Sequence, residues 1–401
     1  MRITRSGTIR AISQITNRAL AERLSRRGIR ALGLIVLAVI VVVAASIVYL
    51  YPTLTSRTKT ASPSSNLALV TGVGDHMSFE FVTASLGWAL DISSAPAANP
   101  GQFWVFRTVD GAKHWQKQFM GLGITSVFFQ FFDNLHGFVA VGYPIELYRT
   151  LDGGVHWEPI GLPNSGGQQV AFSDWHHGWL LAAPNSTLPP LNLYASGDGG
   201  DSWQKLPDPP VDSVLMTFRG SSEGWIGSTT AGQPHVYTSA NGGRNWQRHD
   251  LPEPPYVLPS KTAITATVRL LPGDGGIADL VADSGPGGGP GYELISDDGG
   301  TSWKYLPSRP NQIFAGGETF EDAVHWWAID GGIVYKSSDA GQTWTPVSGQ
   351  LGPLGNNWQY YPHVLDSKHA WARVAVGEFT GLALTNDGGT HWTRATVPQP
   401  A

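Results

Sequence analysis

The sequence contains no cysteine in 401 residues. That excludes disulfides, thiolate metal sites and a cysteine nucleophile. Charge is also scarce, at 14% of residues. No Gly-x-x-x-x-Gly-Lys-Ser/Thr loop is present, and the glycine-rich "GPGGGPGY" (285–292) has neither the lysine nor the following helix that a phosphate cradle needs. Basic residues are few outside the N-terminus. Residues 1–30 hold eight Arg and one Glu, leaving 18 basic and 30 acidic residues in the rest, a net of −12. A body of that sign repels phosphate backbones, so nucleic acid is not expected as a partner. What is plentiful is glycine, with 49 residues, and proline, with 28, in a chain long enough for one large or two ordinary domains. That composition fits a turn-rich β protein.

One long apolar run stands out. Ala31 to Tyr51, "ALGLIVLAVIVVVAASIVYLY", is 21 residues without a charge. At about 1.5 Å per residue it spans roughly 30 Å, the thickness of a bilayer core. A buried core helix seldom lacks every polar interruption, and the apolar core of a cleaved signal peptide is shorter, about 7–15 residues. The expectation is an uncleaved transmembrane helix over 31–51. Arg23, Arg26, Arg27 and Arg30 hold the basic tail, 1–30, in the cytoplasm. Within that tail Ile9, Ile12, Ile15 and Ala19 suit either a basic helix on the inner leaflet or a solvated segment. The Ser/Thr-rich 52–66 reads as a flexible linker, and 67–401 follow as an extracytoplasmic domain on the cytoplasmic membrane.

That domain repeats. "RTVDGAKHW" (107–115), "RTLDGGVHW" (149–157), "ASGDGGDSW" (195–203), "TSANGGRNW" (238–246), "ISDDGGTSW" (295–303), "KSSDAGQTW" (336–344) and "LTNDGGTHW" (384–392) align as Ser/Thr-x-Asp-Gly/Ala-Gly/Ala-x-x-Trp. The acid position holds Asp110, Asp152, Asp198, Asn241, Asp298, Asp339 and Asp387. Five residues later come Trp115, Trp157, Trp203, Trp246, Trp303, Trp344 and Trp392. Successive tryptophans are 42, 46, 43, 57, 41 and 48 residues apart, a period that signals a propeller or solenoid. Ahead of each box runs an apolar strand, often opened by a His/Gly–aromatic pair, as in "HGFVAVG" (136–142) and "HGWLLAA" (177–183). Each unit parses into four short strands; the second reads "ITSVFFQFF", "GFVAVG", "ELYRT", "HWEPI". The predicted fold is all-β: a seven-bladed β-propeller with four-stranded antiparallel blades, preceded by one transmembrane helix.

The box resembles the Asp-box, or BNR, repeat of sialidases, sortilin-type receptors and some β-glucan hydrolases. Paired with a "GWAVG"-like strand, it most resembles propellers of the photosystem II stability/assembly factor type. The resemblance covers about 74–399. It implies box turns that join the third and fourth strands of a blade, away from the face that binds ligands. It further implies a helper of membrane-protein biogenesis. The family usually carries a cleaved targeting sequence where this chain has a long anchor.

The box needs its residues for turn geometry. The Asp is expected to accept from backbone N–H groups one and two residues on, the glycines supply positive φ, and the Trp buries about 150–250 Å². Asn241 keeps the acceptor without the charge, which suits a turn better than an acid or nucleophile. No catalytic residue is therefore assigned among the boxes, and no cofactor. His114, His156 and His391 precede box tryptophans and His176-His177 lie on a turn, so no metal site is assigned either. Arg107 and Arg149 read as blade surface, and Tyr292-Glu293 as ordinary strand.

The expected working face is the opposite one, including 93–101, 183–191, 251–262, 283–291, 306–312 and 351–362. There Trp358, Tyr360 and Tyr361, with Tyr256 and Arg309, form the candidate partner-binding set. The same aromatics would equally serve as packing between the sixth and seventh units. The function predicted is a non-catalytic protein-binding or assembly scaffold, its partner another protein such as a membrane protein. The alternative is a glycan-binding module or a glycoside hydrolase, for which Asp75, Glu146, Glu253 and Glu378 are the available carboxylates.

Overall fold

The computed structural model describes residues 75–399 apart from 94–100, 124–125, 143, 164–166, 183–190, 211–212, 231, 253–263, 283–290, 308–317, 331, 352–358 and 377–378. All of these lie in one compact unit. Among them every regular element is a strand, and no helix is long and apolar enough to cross a membrane. The segment 31–51 lies outside the described residues.

Twenty-eight strands form seven antiparallel groups of four. The first is β1 (Asp75–Phe81), β2 (Gly87–Ser93), β3 (Gln102–Thr108) and β4 (Gln116–Leu122), paired in that order. The same order recurs in β5–β8 (126–160), β9–β12 (167–205), β13–β16 (213–250), β17–β20 (264–305), β21–β24 (318–350) and β25–β28 (359–395). The second strand of a group has neighbours over both faces, which is why β6 (Gly137–Val141) is buried at every position and reads as an unbroken apolar run. The fourth strand is the most open, with β4 (Gln116–Leu122) exposed or half-buried at every position.

The core is divided into seven apolar clusters, each between one group and the next. Trp88 and Leu90 of the first group meet Phe131 and Val139 of the second, for example. The last cluster joins Trp371 and Leu382 of the seventh group to Met77, Phe79 and Phe81 of the first, so the ring closes. Each group supplies all four of its own strands, so closure uses side chains rather than a shared strand. At this seam Trp115 donates its indole N–H to Thr396 O at 2.9 Å, and the Thr396 hydroxyl donates to Ala112 O.

The Gly–aromatic pairs of the sequence explain the junctions. Gly137, Gly178 and Gly224 each lie under a phenylalanine at or next to the end of the preceding strand; a Cβ there would meet the ring at 2.4–2.5 Å. The aromatic that follows the glycine then reaches the next group. Trp88 stacks on Phe131 with centroids 3.6 Å apart, Phe138 on Phe172 at 3.9 Å, and Trp179 on Phe218 at 3.7 Å. Trp88 and Trp179 also donate their indole N–H to Gly153 O and Gly242 O in the box of the next group, each at 3.0 Å.

One junction differs. The far end of β14 (Glu223–Thr230) leaves its own partner and pairs through Ser228, Thr229 and Thr230 with β17 (Ile264–Leu270). The fourth and fifth groups therefore share a continuous backbone ladder.

Candidate functional site

All seven boxes have the same hydrogen bonds. The Ser/Thr hydroxyl donates to the acid's Oδ1 at 2.8–3.0 Å and accepts from the N–H four residues after itself at 2.8–3.0 Å. The same Oδ1 accepts from the N–H four residues beyond the acid, at 2.8–3.0 Å. This corrects the expected reach of one and two residues: the loop is wider than an Asx turn, because the Ser/Thr hydroxyl occupies the near side of the carboxylate. In six boxes the second oxygen takes a side chain from that same position, a His Nδ1 or a Ser/Thr hydroxyl, at 2.6–2.7 Å. Gly153 and Gly154 have φ of 73° and 93°, as expected, but Ala112 and Ala340 hold φ of 61° and 55° despite their Cβ.

These bonds set the acids' chemistry. The hydroxyl and N–H of Ser302 hold Asp298 down at about 2, and the N–H and imidazole of His391 hold Asp387 at about 2. Both are anionic at neutral pH and engaged on both oxygens.

A second turn escaped the sequence reading. Between the first and second strands, Asp133, Asp174, Asp322 and Asp366 each take the N–H groups two and three residues on, and pair with His136, His177, His325 and His369 at 2.7–2.9 Å. The signal was present as Asp-x-x-His before the aromatic pair. This turn and the box of its own group are joined by an N–H···O bond, such as Gly153 N–H to Leu135 O at 2.8 Å. The two turns therefore share one edge of the ring. Among the described residues no cluster of three His, Asp or Glu is arranged to hold a metal.

Arg149 is not blade surface. It is 6% exposed, and it bonds Glu158 at 2.6 Å, Asp201 at 2.8 Å and Gly199 O at 3.0 Å, tying the second group to the third box. Arg107 is half-buried, and its guanidinium lies 5.8 Å from the Trp88 ring. The faces of a third strand abut a neighbouring blade, so alternation does not expose them.

Of the candidate binding set, Trp358, Tyr256 and Arg309 lie outside the described residues. Tyr360 and Tyr361 are adjacent on β25 (Gln359–Val364) and so face opposite ways. Tyr360 is 6% exposed and packs with Trp327, Ile329 and Val374 between the sixth and seventh groups, which corrects its place in a surface set. Tyr361 is half-buried with the Arg373 guanidinium 4.1 Å from its ring. Glu146 receives the Tyr148 hydroxyl at 2.7 Å, Asp75 opens β1, and Glu253 and Glu378 lie outside the described residues.

The first strands of the groups carry three further ionisable sites. Arg269 of β17 bonds Asp279 at 2.8 Å, Glu293 at 3.0 Å and, across the junction, Glu318 at 3.2 Å. Burial pulls its pKa down, but Asp279 and Glu293 outweigh that and hold it well above the ordinary value. Burial pushes the Glu80 carboxyl up to about 8. Burial, with the Arg373 charge, pushes His363 down to about 4, and its ring stacks on Trp371 at 4.0 Å. His363 nevertheless has an exposed side chain and Glu80 a half-buried one.

A cleft of about 450 Å³ lies on the box edge between the sixth and seventh groups, lined by Glu321, Asp322, His325, Lys336, Ser338 and Ser367 among others. Lys336 Nζ sits 3.6 Å from the centroid of the Trp327 ring, and burial lowers its pKa against the opposing effect of Glu321.

No family model matches the chain, and no curated protein matches its sequence. Solved structures do. YCF48 bound to D1 peptide is 22% identical at a TM-score of 0.44, over 67% of this chain and 80% of that one. YCF48 from Cyanidioschyzon merolae is 19% identical at 0.46, over 67% and 87%. The GH74 xyloglucanase of Xanthomonas campestris is 14% identical at 0.51, covering 80% of this chain, which spans about 55% of the length of that enzyme. The chain is a β-propeller.

Proposed function

We propose that this chain is a membrane-anchored, extracytoplasmic β-propeller that binds another protein as a non-catalytic scaffold, with a membrane protein as the partner class. The observation that carries the reading is the commitment of its carboxylates. The six box aspartates are locked at both oxygens, four more aspartates close the second turn, and Asp279, Glu293 and Glu318 are tied to Arg269. Acids so engaged serve geometry and are poorly placed for proton transfer. The uncharged run 31–51 supports the anchor. The binding surface is assigned to the loop face opposite the boxes, with Trp358, Tyr361, Tyr256 and Arg309.

One observation favours a second reading. Glu80, with its pKa at about 8, is protonated at neutral pH, as the general acid of a glycoside hydrolase must be. Pull-down of the tagged full chain from detergent-solubilised native membranes, with mass spectrometry, separates the two. Specific recovery of a membrane protein, lost in Trp358→Ala without a change in melting temperature, supports the scaffold. No recovery above background, together with turnover of a glycan panel that Glu80→Gln abolishes, supports the hydrolase.

A further inference from the structure

Large apolar side chains exposed on the described surface are concentrated in one sector. Val109, Met120, Leu122, Leu135, Leu151 and Val155 all belong to the first two groups, and only Val324 of the sixth lies elsewhere. Four of them sit on the box edge: Val109 and Leu151 immediately before a box acid, Val155 three residues after one, and Leu135 in the neighbouring turn. Turn geometry does not call for them. The slot before the acid is filled elsewhere by Gly197, Ala240, Asp297, Ser338 and Asn386.

The positions adjoin one another. Leu135 O accepts from Gly153, two residues after Leu151, and a Cβ on Gly153 would lie 3.6 Å from Arg107 Nη2, two residues before Val109. Charge of both signs rims the patch: residues 107–117 carry Arg107, Lys113 and Lys117 against Asp110, whereas Asp133, Asp152 and Glu158 stand beside Leu135, Leu151 and Val155. Lys113 and Lys117 are exposed. Aliphatic tips flanked by lysine match a contact with the interfacial layer of an anionic membrane.

We propose that the box edge of the first two blades rests on the bilayer surface, with Val109, Leu135, Leu151 and Val155 entering the headgroup layer and Lys113 and Lys117 facing lipid phosphates. This rests on the anchored reading above. The 23 residues from Pro52 to Gly74 reach at most roughly 80 Å when extended, so the tether permits either edge of the domain to meet the membrane. The loop face then points away from the lipid and stays free for a partner.

The lack of cysteine makes the test direct. Val155→Cys, Leu151→Cys and, as control, Val324→Cys are each labelled with an environment-sensitive nitrobenzoxadiazole dye. The full chain is reconstituted into phosphatidylcholine vesicles with and without phosphatidylglycerol. The expected result is a blue shift and quenching by nitroxide-bearing lipid at 155 and 151 but not at 324, weaker without phosphatidylglycerol and in high salt. Water-like emission at 155 and 151 in both lipids overturns the proposal. So does emission that shifts only when detergent-solubilised membrane protein is added, which would make the patch a protein interface. An alkaline carbonate wash tests the anchor separately. Chain released by the wash ends the anchored reading, and chain that is retained with water-like dyes ends only the surface contact.

Discussion

Trp179 offers the sharpest test of how the blades are joined. It is 2% exposed, stacks on Phe218 with 3.7 Å between centroids and 1° between planes, and donates to the buried Gly242 O at 3.0 Å. Both contacts run from the third blade to the fourth. Trp179→Ala removes the packing and leaves a cavity, an effect of about 3–5 kcal/mol. Trp179→Phe keeps a ring over Phe218 and loses chiefly the indole N–H, which strands a buried carbonyl, so it should cost about 1–3 kcal/mol. A cycle with Phe218→Leu isolates the stack, for which the expected coupling is about 0.5–1.5 kcal/mol. The assay is equilibrium urea unfolding of each variant, with the m-value checked for a constant transition. If Trp179→Phe costs as much as Trp179→Ala, the hydrogen bond dominates and the stacking account fails. Additivity within about 0.3 kcal/mol in the cycle would refute it as well.

Two more expectations follow from the same geometry. Gly178→Ala places a Cβ 2.4 Å from the Phe172 ring and should destabilise by about 1–3 kcal/mol in a thermal or urea melt, whereas Gly161→Ala, with nothing within 4 Å, should stay within about 0.5 kcal/mol. Glu80 gives a pH signature. Its carboxyl is raised from 4.5 to about 8 in the folded chain, so folding takes up a proton between those values. Its contribution is fully present below about 4.5 and lost as pH rises to about 8. Urea midpoints of the wild type should therefore fall across that window relative to Glu80→Gln, and parallel curves for the two proteins would remove Glu80 from the account.

How much of this was legible in the sequence depended on repetition. Asp298 and its six counterparts were readable as turn formers because the same spacing occurs seven times and Asn241 substitutes for one of them. The Asp133–His136 turn is kept in only four blades, too few to stand out from the apolar strand beside it. Arg149 was misplaced for a different reason. Strand alternation distinguishes two faces but does not say what covers each, and in a ring of packed sheets the face opposite the core of one junction is the core of the next. Tyr360 and Tyr361 illustrate the same limit, since neighbours on a strand cannot both line one surface. The closing of the ring was not legible at all, because it rests on contacts such as Trp115 with Thr396, 281 residues apart.

That closure has a mechanical consequence. The fourth and fifth blades are bonded backbone to backbone through Ser228–Thr230, whereas among the described residues the seventh and first meet through side-chain packing and side-chain-to-backbone hydrogen bonds. A load applied through the N-terminus enters at β1, which is one lip of a joint without a shared backbone ladder. Such a pull would peel the first blade from the seventh before it strained any shared ladder. Pulled from that end, a ring of this kind has its tear line beside its first strand, and the remaining blades are shielded until that line gives way.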